Sequence, residues 1–319
     1  MHRRAFVTAL AGASLPWSTA ALAASNYPDR PVELVVPFQA GGGTDALARA
    51  FADAARKHFS QPLVVVNKPG ASGAIGWNDV INGKPEGYKL AVMTVEITTL
   101  PHLGLTKFTH EDFVPIARLN ADPAAITVRA DAPWNTVEEF LAAARKAPNP
   151  LSMGNAGNGS IWHLAAASLE DRTGITFNHI PFPGANPAVL ALMGGHLDAV
   201  AVSPAEVSVF VQSGKLKTLA IMADQRVAGF EKVPTLKERG VDLSIGTWRG
   251  LGVAKGTPPE AVEALKVMAQ KTMGEPAMKE AMGKLNLGYA WGDDATLKAT
   301  LRRDHEAFKS LIHKLGLKA

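Results

Sequence analysis

From residue 32 onward the chain alternates two hydrophobic rhythms. Residues 32–36 form a continuous β-branched run with the length of a buried strand. Leu47, Phe51, Ala55 and Phe59 then recur at four-residue spacing, the stripe of an amphipathic helix. The strand pattern returns at 63–66, 89–94 and 114–119, with a short helix expected before Asn82. A polar break with a proline, Asn120-Ala121-Asp122-Pro123, separates this series from a second one. That second series has strands at 125–128, 151–153, 176–180, 199–202 and 216–221, and helices at 136–146 and 161–172. Thr136 with Glu139 reads as a capping box, and Gly174 as a helix stop. A strand at 248–253 and helices at 258–272, 275–285 and 293–315 close the chain. Strand–helix alternation predicts parallel strands with right-handed crossovers. The predicted organisation is two α/β domains, the second inserted into the first: 24–121 with 226–319, and 122–225. Crossings are expected near 120–123 and 223–226. A cleft between domains is where small ligands bind.

Glycine-rich turns link strands to helices at Gly41-Gly42-Gly43, at 70–76 and at 154–160, and a fourth loop spans 181–187. A strand, a glycine loop and a helix start together make an anion-holding device. The first helical N–H groups lack internal partners, and glycine lets a ligand come close. None of the loops fits a nucleotide: Gly41–Thr44 lacks the P-loop lysine, and the 70–76 spacing is not that of a dinucleotide fold.

Composition narrows the field. With 319 residues, 47% hydrophobic and 19% charged, the chain suits two folded domains. Arg3 and Arg4, an apolar run and Ala21-Leu22-Ala23 read as a secretory leader over residues 1–23. Its removal takes away two arginines and no acid, so the formal charge falls from +4 to +2. Such a balance gives no reason to expect nucleic acid or membrane insertion after cleavage. There is no cysteine, which excludes disulfides, thiolate metal sites and a cysteine nucleophile. Nine histidines show no ligand cluster, so neither a metal nor a cofactor is expected.

An enzyme would need a titratable pair in the cleft, and Glu96, His163 and Asp45 are the candidates. Ser160 and His163 lie three apart at a helix start, which suits an N-cap better than a nucleophile elbow. Asp45 sits in a first helical turn, where the dipole alone favours an acid.

Several ordered segments carry a resemblance. They include Pro37-Phe38-x-x-Gly41-Gly42-x-x-Asp45-x-x-Ala48-Arg49, Asn67-x-Pro69-Gly70-Ala71-x-Gly73-x-Ile75-Gly76 and Glu86-Gly87-Tyr88-x-Leu90. Further along come Gly157-x-Gly159-Ser160-x-x-His163-Leu164, Gly194-Gly195-His196-Leu197-Asp198 and Gly256-Thr257-Pro258. The chain resembles the Bug family, substrate-binding proteins of tripartite tricarboxylate transporters, over its whole mature length. The resemblance implies a periplasmic two-domain flytrap that binds a small organic carboxylate and delivers it to membrane transporter subunits. It also implies that Phe38, Ala40, Gly42, Ala71 and Ser72 hold the ligand carboxylate. Asn158, Ser160, Gly184 and Asn186 would close on it from the second domain. The rival reading is a secreted two-lobed hydrolase or transferase acting on a small carboxylate. Val95-Glu96-Ile97 departs from the family's small polar residues. Facing the cleft, Glu96 would oppose a second carboxylate and favour an ammonium or hydroxyl; facing solvent, the default placement, it would be inert. The leader predicts that the exported protein begins near Ala24, which N-terminal sequencing of the secreted form checks.

Overall fold

The computed structural model describes residues 27–317, so the expected leader lies outside the described residues. The first lobe holds β1 (Val32–Val36), α1 (Gly43–Ala55), β2 (Leu63–Asn67), α2 (Ala74–Ile81), β3 (Lys89–Thr94) and the short α3 (Glu96–Thr99). β4 (Phe113–Arg129) runs out of it into the second lobe. That lobe carries α4 (Val137–Lys146), β5 (Leu151–Asn155), α5 (Ile161–Thr173), β6 (Phe177–Pro181), α6 (Ala185–Met193), β7 (Ala199–Val202), α7 (Pro204–Gln212) and β8 (Leu216–Met222). β9 (Gly246–Ala254), α8 (Pro259–Gly274), α9 (Pro276–Lys284), β10 (Tyr289–Gly292) and α10 (Asp294–Lys314) return to the first.

β1 is buried along most of its length because β2 and β3 flank it in parallel while helices cover the faces. Leu47 and Phe51 of α1 pack on one face with Leu265, Met268 and Met273 of α8. Trp77 of α2 lies on the other and donates its indole N–H to the Val92 carbonyl at 3.0 Å. In the second lobe β6, β5 and β7 are parallel. The caps fall where the sequence places them. Thr136 accepts from the Glu139 N–H at 3.2 Å, and Gly174 ends α5 at φ 66°.

Among the strands named above, parallel pairing holds only on these flanks. The middle of the molecule is antiparallel, with β9 between β3 and β4, and β4 continuing between β7 and β8. The polar break at 120–123 is therefore no loop: one 17-residue strand runs through it. Pro123 has no N–H to lose, and it sits where β4 exchanges partners between Ala121, bonded to the Gly288 carbonyl, and Ala124, bonded to that of Ile245. The segment after β8 also stays with the second lobe. The Ile221 N–H bonds the Pro234 carbonyl, the Ile245 N–H bonds that of Met222, and Phe230 packs on Ala125 and Ile221. We place the return crossing at Gly246, later than the 223–226 expected from the sequence.

Glycine is required at that crossing. A Cβ on Gly246 would stand 2.2 Å from the Asp122 carbonyl oxygen and 2.6 Å from Pro123 Cα, both backbone atoms that cannot turn aside. Gly246→Ala is expected to cost about 1–3 kcal/mol of stability through overpacking, read as a fall in the urea midpoint without a change of slope.

Candidate functional site

The loop before α1 is ordered by Asp45. Its carboxylate accepts from the Gly41 N–H at 2.9 Å, from Arg49 Nε at 3.0 Å and from Asn67 Nδ2 at 3.0 Å. Burial opposes its charge, but these bonds hold its pKa below the ordinary value. Asp45 thus braces the turn, as expected of an acid in a first helical turn. The turn brings the start of α1 to the edge of a narrow interlobe cavity of about 20 Å³, room for roughly one water with the lobes in this position. Phe38, Gly42, Gly43 and Thr44 line it from the first lobe, with Thr94 and Glu96 at the end of β3. Ala156, Ile161, Trp162 and Ala185 line it from the second. The first N–H groups of α1 lie on this wall, without intrahelical partners.

One guanidinium is built into the cavity wall. Arg249 of β9 is 1% exposed; its Nη1 donates to Asp122 at 2.5 Å and its Nε to the Thr44 hydroxyl at 2.8 Å. A longer 3.5 Å contact joins Nη2 to Glu206, on α7 of the other lobe. Asp122 also accepts from Asn120 Nδ2 and from the Gly288 N–H, each at 2.7 Å. Glu206 completes a capping box with Ser203. Burial pushes the Glu206 carboxyl up to about 7, although Arg249 pulls the other way.

Glu96 faces the cavity and is 2% exposed, which overturns the solvent-facing default. The reason is local: it opens α3 directly after β3, where the strand end points between the lobes. Its carboxylate accepts from the Thr94 hydroxyl and from the Ile161 N–H at 3.0 Å. Burial raises its pKa, and these bonds offset that in part.

Of the expected ligand residues, Phe38, Gly42 and Glu96 line the cavity, and Ser72, Asn158, Asn186 and Ala40 pair across the lobes. The Ser72 hydroxyl donates to the Asn158 carbonyl at 2.6 Å, and Asn186 Nδ2 to the Ala40 carbonyl at 3.3 Å. Gly184 stands beside the Gln39 backbone, and Ala71, at φ 47°, is exposed on the same turn as Ser72. Ser160 caps α5, accepting from the His163 N–H at 3.2 Å. His163 turns its Nδ1 to the Gly159 N–H, and burial together with nearby His179 lowers its pKa to about 4. Asp45, Glu96 and His163 are thus not brought together. Arg249, Glu206, Thr44 and Trp162 escaped the ligand set predicted from sequence. A lone arginine in the apolar run 248–254 and a Ser203-x-x-Glu206 box were the available signals.

The model of the tripartite tricarboxylate transporter family receptor matches residues 47–317. A TctC solute-binding protein from Polaromonas, solved without ligand, is 62% identical, covering 90% of this chain and 99% of that one, with a TM-score of 0.67. The periplasmic binding protein BugD is 31% identical over 92% of this chain and 99% of its own, with a TM-score of 0.88. MatC from Rhodopseudomonas palustris, with bound malate, is 25% identical over 90% and 100%, with a TM-score of 0.83.

Glu206 has a consequence for pH. Its carboxyl titrates near 4.5 when free and near 7 in the fold, so the folded state holds a proton that the unfolded chain has released. Its contribution to stability is complete below about pH 4.5 and is lost as pH rises through 7. Glu206→Gln is expected to flatten that part of the decline, measured as urea midpoints at pH 5 and pH 8 against the parent.

Proposed function

The chain belongs to the tripartite tricarboxylate transporter receptor family, and on that premise we propose that it captures a small organic carboxylate between its lobes and delivers it to the membrane subunits of such a transporter. The observation that carries this reading is the interlobe cavity walled by the start of α1. There the unpartnered N–H groups of Gly43 and Thr44 can donate charge-assisted hydrogen bonds to a carboxylate. The loop residues predicted from sequence take a different part. Ser72 with Asn158, and Asn186 with Ala40, are the clasps that hold the lobes together once the ligand is inside.

Lobe movement is supported by the relatives. The ligand-free Polaromonas structure superposes less well than two proteins with half its identity or less, one of them holding malate. Rotation of one lobe against the other lowers a whole-chain score while leaving each lobe's fold intact. The protein works in the periplasm after loss of its leader. It is a receptor and not an enzyme: Asp45 is spent on its loop, His163 on its helix start, and Glu206 on its capping box and Arg249.

Thermal-shift measurements against a panel of mono- and dicarboxylates test the reading. A cognate carboxylate at a hundredfold excess over Kd is expected to add about 2.7 kcal/mol of stability, a shift of several degrees, and to be recovered unchanged. A Cβ on Gly43 would come within 3.0 Å of Arg249 Nη2 and 3.2 Å of Glu206 Cγ. Gly43→Val should therefore abolish the shift. A carboxylate-dependent shift that survives it would contradict the placement.

A further inference from the structure

The two ends of the cavity are not alike. At the α1 end, backbone N–H groups await an acceptor. At the other end, the N–H that opens α5 already has one, because Ile161 donates to Glu96 at 3.0 Å. Glu96 belongs to the first lobe and Ile161 to the second, so the chain's own carboxylate fills the place where the second carboxylate of a diacid would dock. The cavity wall also carries Glu206, and its one guanidinium, Arg249, is already paired with Asp122 at 2.5 Å. Each Glu96 oxygen has one hydrogen-bond donor, Thr94 or Ile161, and keeps a further lone pair. A second ligand carboxylate brought here faces the Glu96 carboxyl and finds the Ile161 N–H already taken. An ammonium finds acceptors in a water-poor site, and its own charge favours the ionised form of the Glu96 carboxyl beside it.

We propose that Glu96 is the specificity-determining residue of this receptor, selecting a small carboxylate with a protonated amine at its far end and rejecting dicarboxylates. The proposal rests on the carboxylate-receptor reading and narrows it. The ligand carboxylate lies at Gly43 and Thr44, and its ammonium donates to Glu96.

Isothermal titration with chain-matched sets tests it: β-alanine, malonate and propionate, then γ-aminobutyrate, succinate and butyrate. The parent protein is expected to bind the amine-bearing member of a set at least about tenfold more tightly than its dicarboxylate partner. Glu96→Gln is expected to weaken the amine-bearing ligand by about tenfold and to leave the dicarboxylate unchanged or tighter, since a neutral amide repels no carboxylate. Tighter binding of dicarboxylates by the parent overturns the proposal and leaves the receptor reading intact. An equal effect of Glu96→Gln on both classes also overturns it. If no carboxylate of any kind binds, both readings fall. The parent ranking decides the matter even if the variant does not fold, which its melting curve reports.

Discussion

A buried guanidinium has to be matched on several sides at once, and Arg249 shows what that demands of a fold. Its partners come from three distant parts of the chain: Thr44 at the start of α1, Asp122 in the strand that leaves the first lobe, and Glu206 in the second lobe. Taking Asp122 away would leave the buried guanidinium without its close counter-charge, worth about 3–5 kcal/mol in comparable sites. The arrangement therefore fixes where the two crossing strands meet, where α1 begins, and how α7 approaches in the closed form. It also sets the cavity's character, because the one positive group on the wall is already engaged.

Besides the Arg249–Glu206 and Lys314–Asp171 pairs, few polar contacts hold the closed form. Ser72 to Asn158, Thr99 to Gly159, Asn186 to Ala40 and Glu96 to Ile161 each join a side chain on one lobe to backbone on the other. A hydrogen bond is worth only about 0.5–1.5 kcal/mol net, since water takes its place on opening. Together with the apolar contact of Leu100 and Leu103 against Gly159, they keep the two forms within reach of each other. A ligand that touches both lobes can then shift the balance by its own differential affinity.

Much of this was legible in the sequence. The strand and helix rhythm located most elements, because buried strands and amphipathic stripes are imposed by burial itself. Thr136, Ser160 and Gly174 announced their caps through local chemistry. The family resemblance found the loops that meet between the lobes. Other features depend on contacts between distant residues, which no local window contains. Pro123 reads as a break until β4 is seen to change partners there. The segment 227–245 carries no strong pattern, so its attachment to the second lobe through Phe230 and Ile245 was hidden. α3 has four residues, too few for a periodicity, and with it went the direction in which Glu96 points. Arg249 looked like any charge in a strand because its partners lie up to 205 positions away.

The last helix sets the mechanics of the molecule. Two adjacent strands, β4 and β9, join the lobes like the leaf of a door, which leaves twisting and swinging both open. α10 removes part of that freedom. Asp304 accepts from the Trp248 indole beside the crossing at 2.7 Å, and Lys314 reaches Asp171 of α5 at 2.6 Å. Phe308 and Ile312 lie in the core between these two anchors. A rod fastened at the pivot and resting on the moving leaf admits a swing about its own fixed end and resists a twist. Helix α10 thus ties the crossing at Trp248 to α5 of the second lobe, so that whatever moves α5 is felt at the pivot.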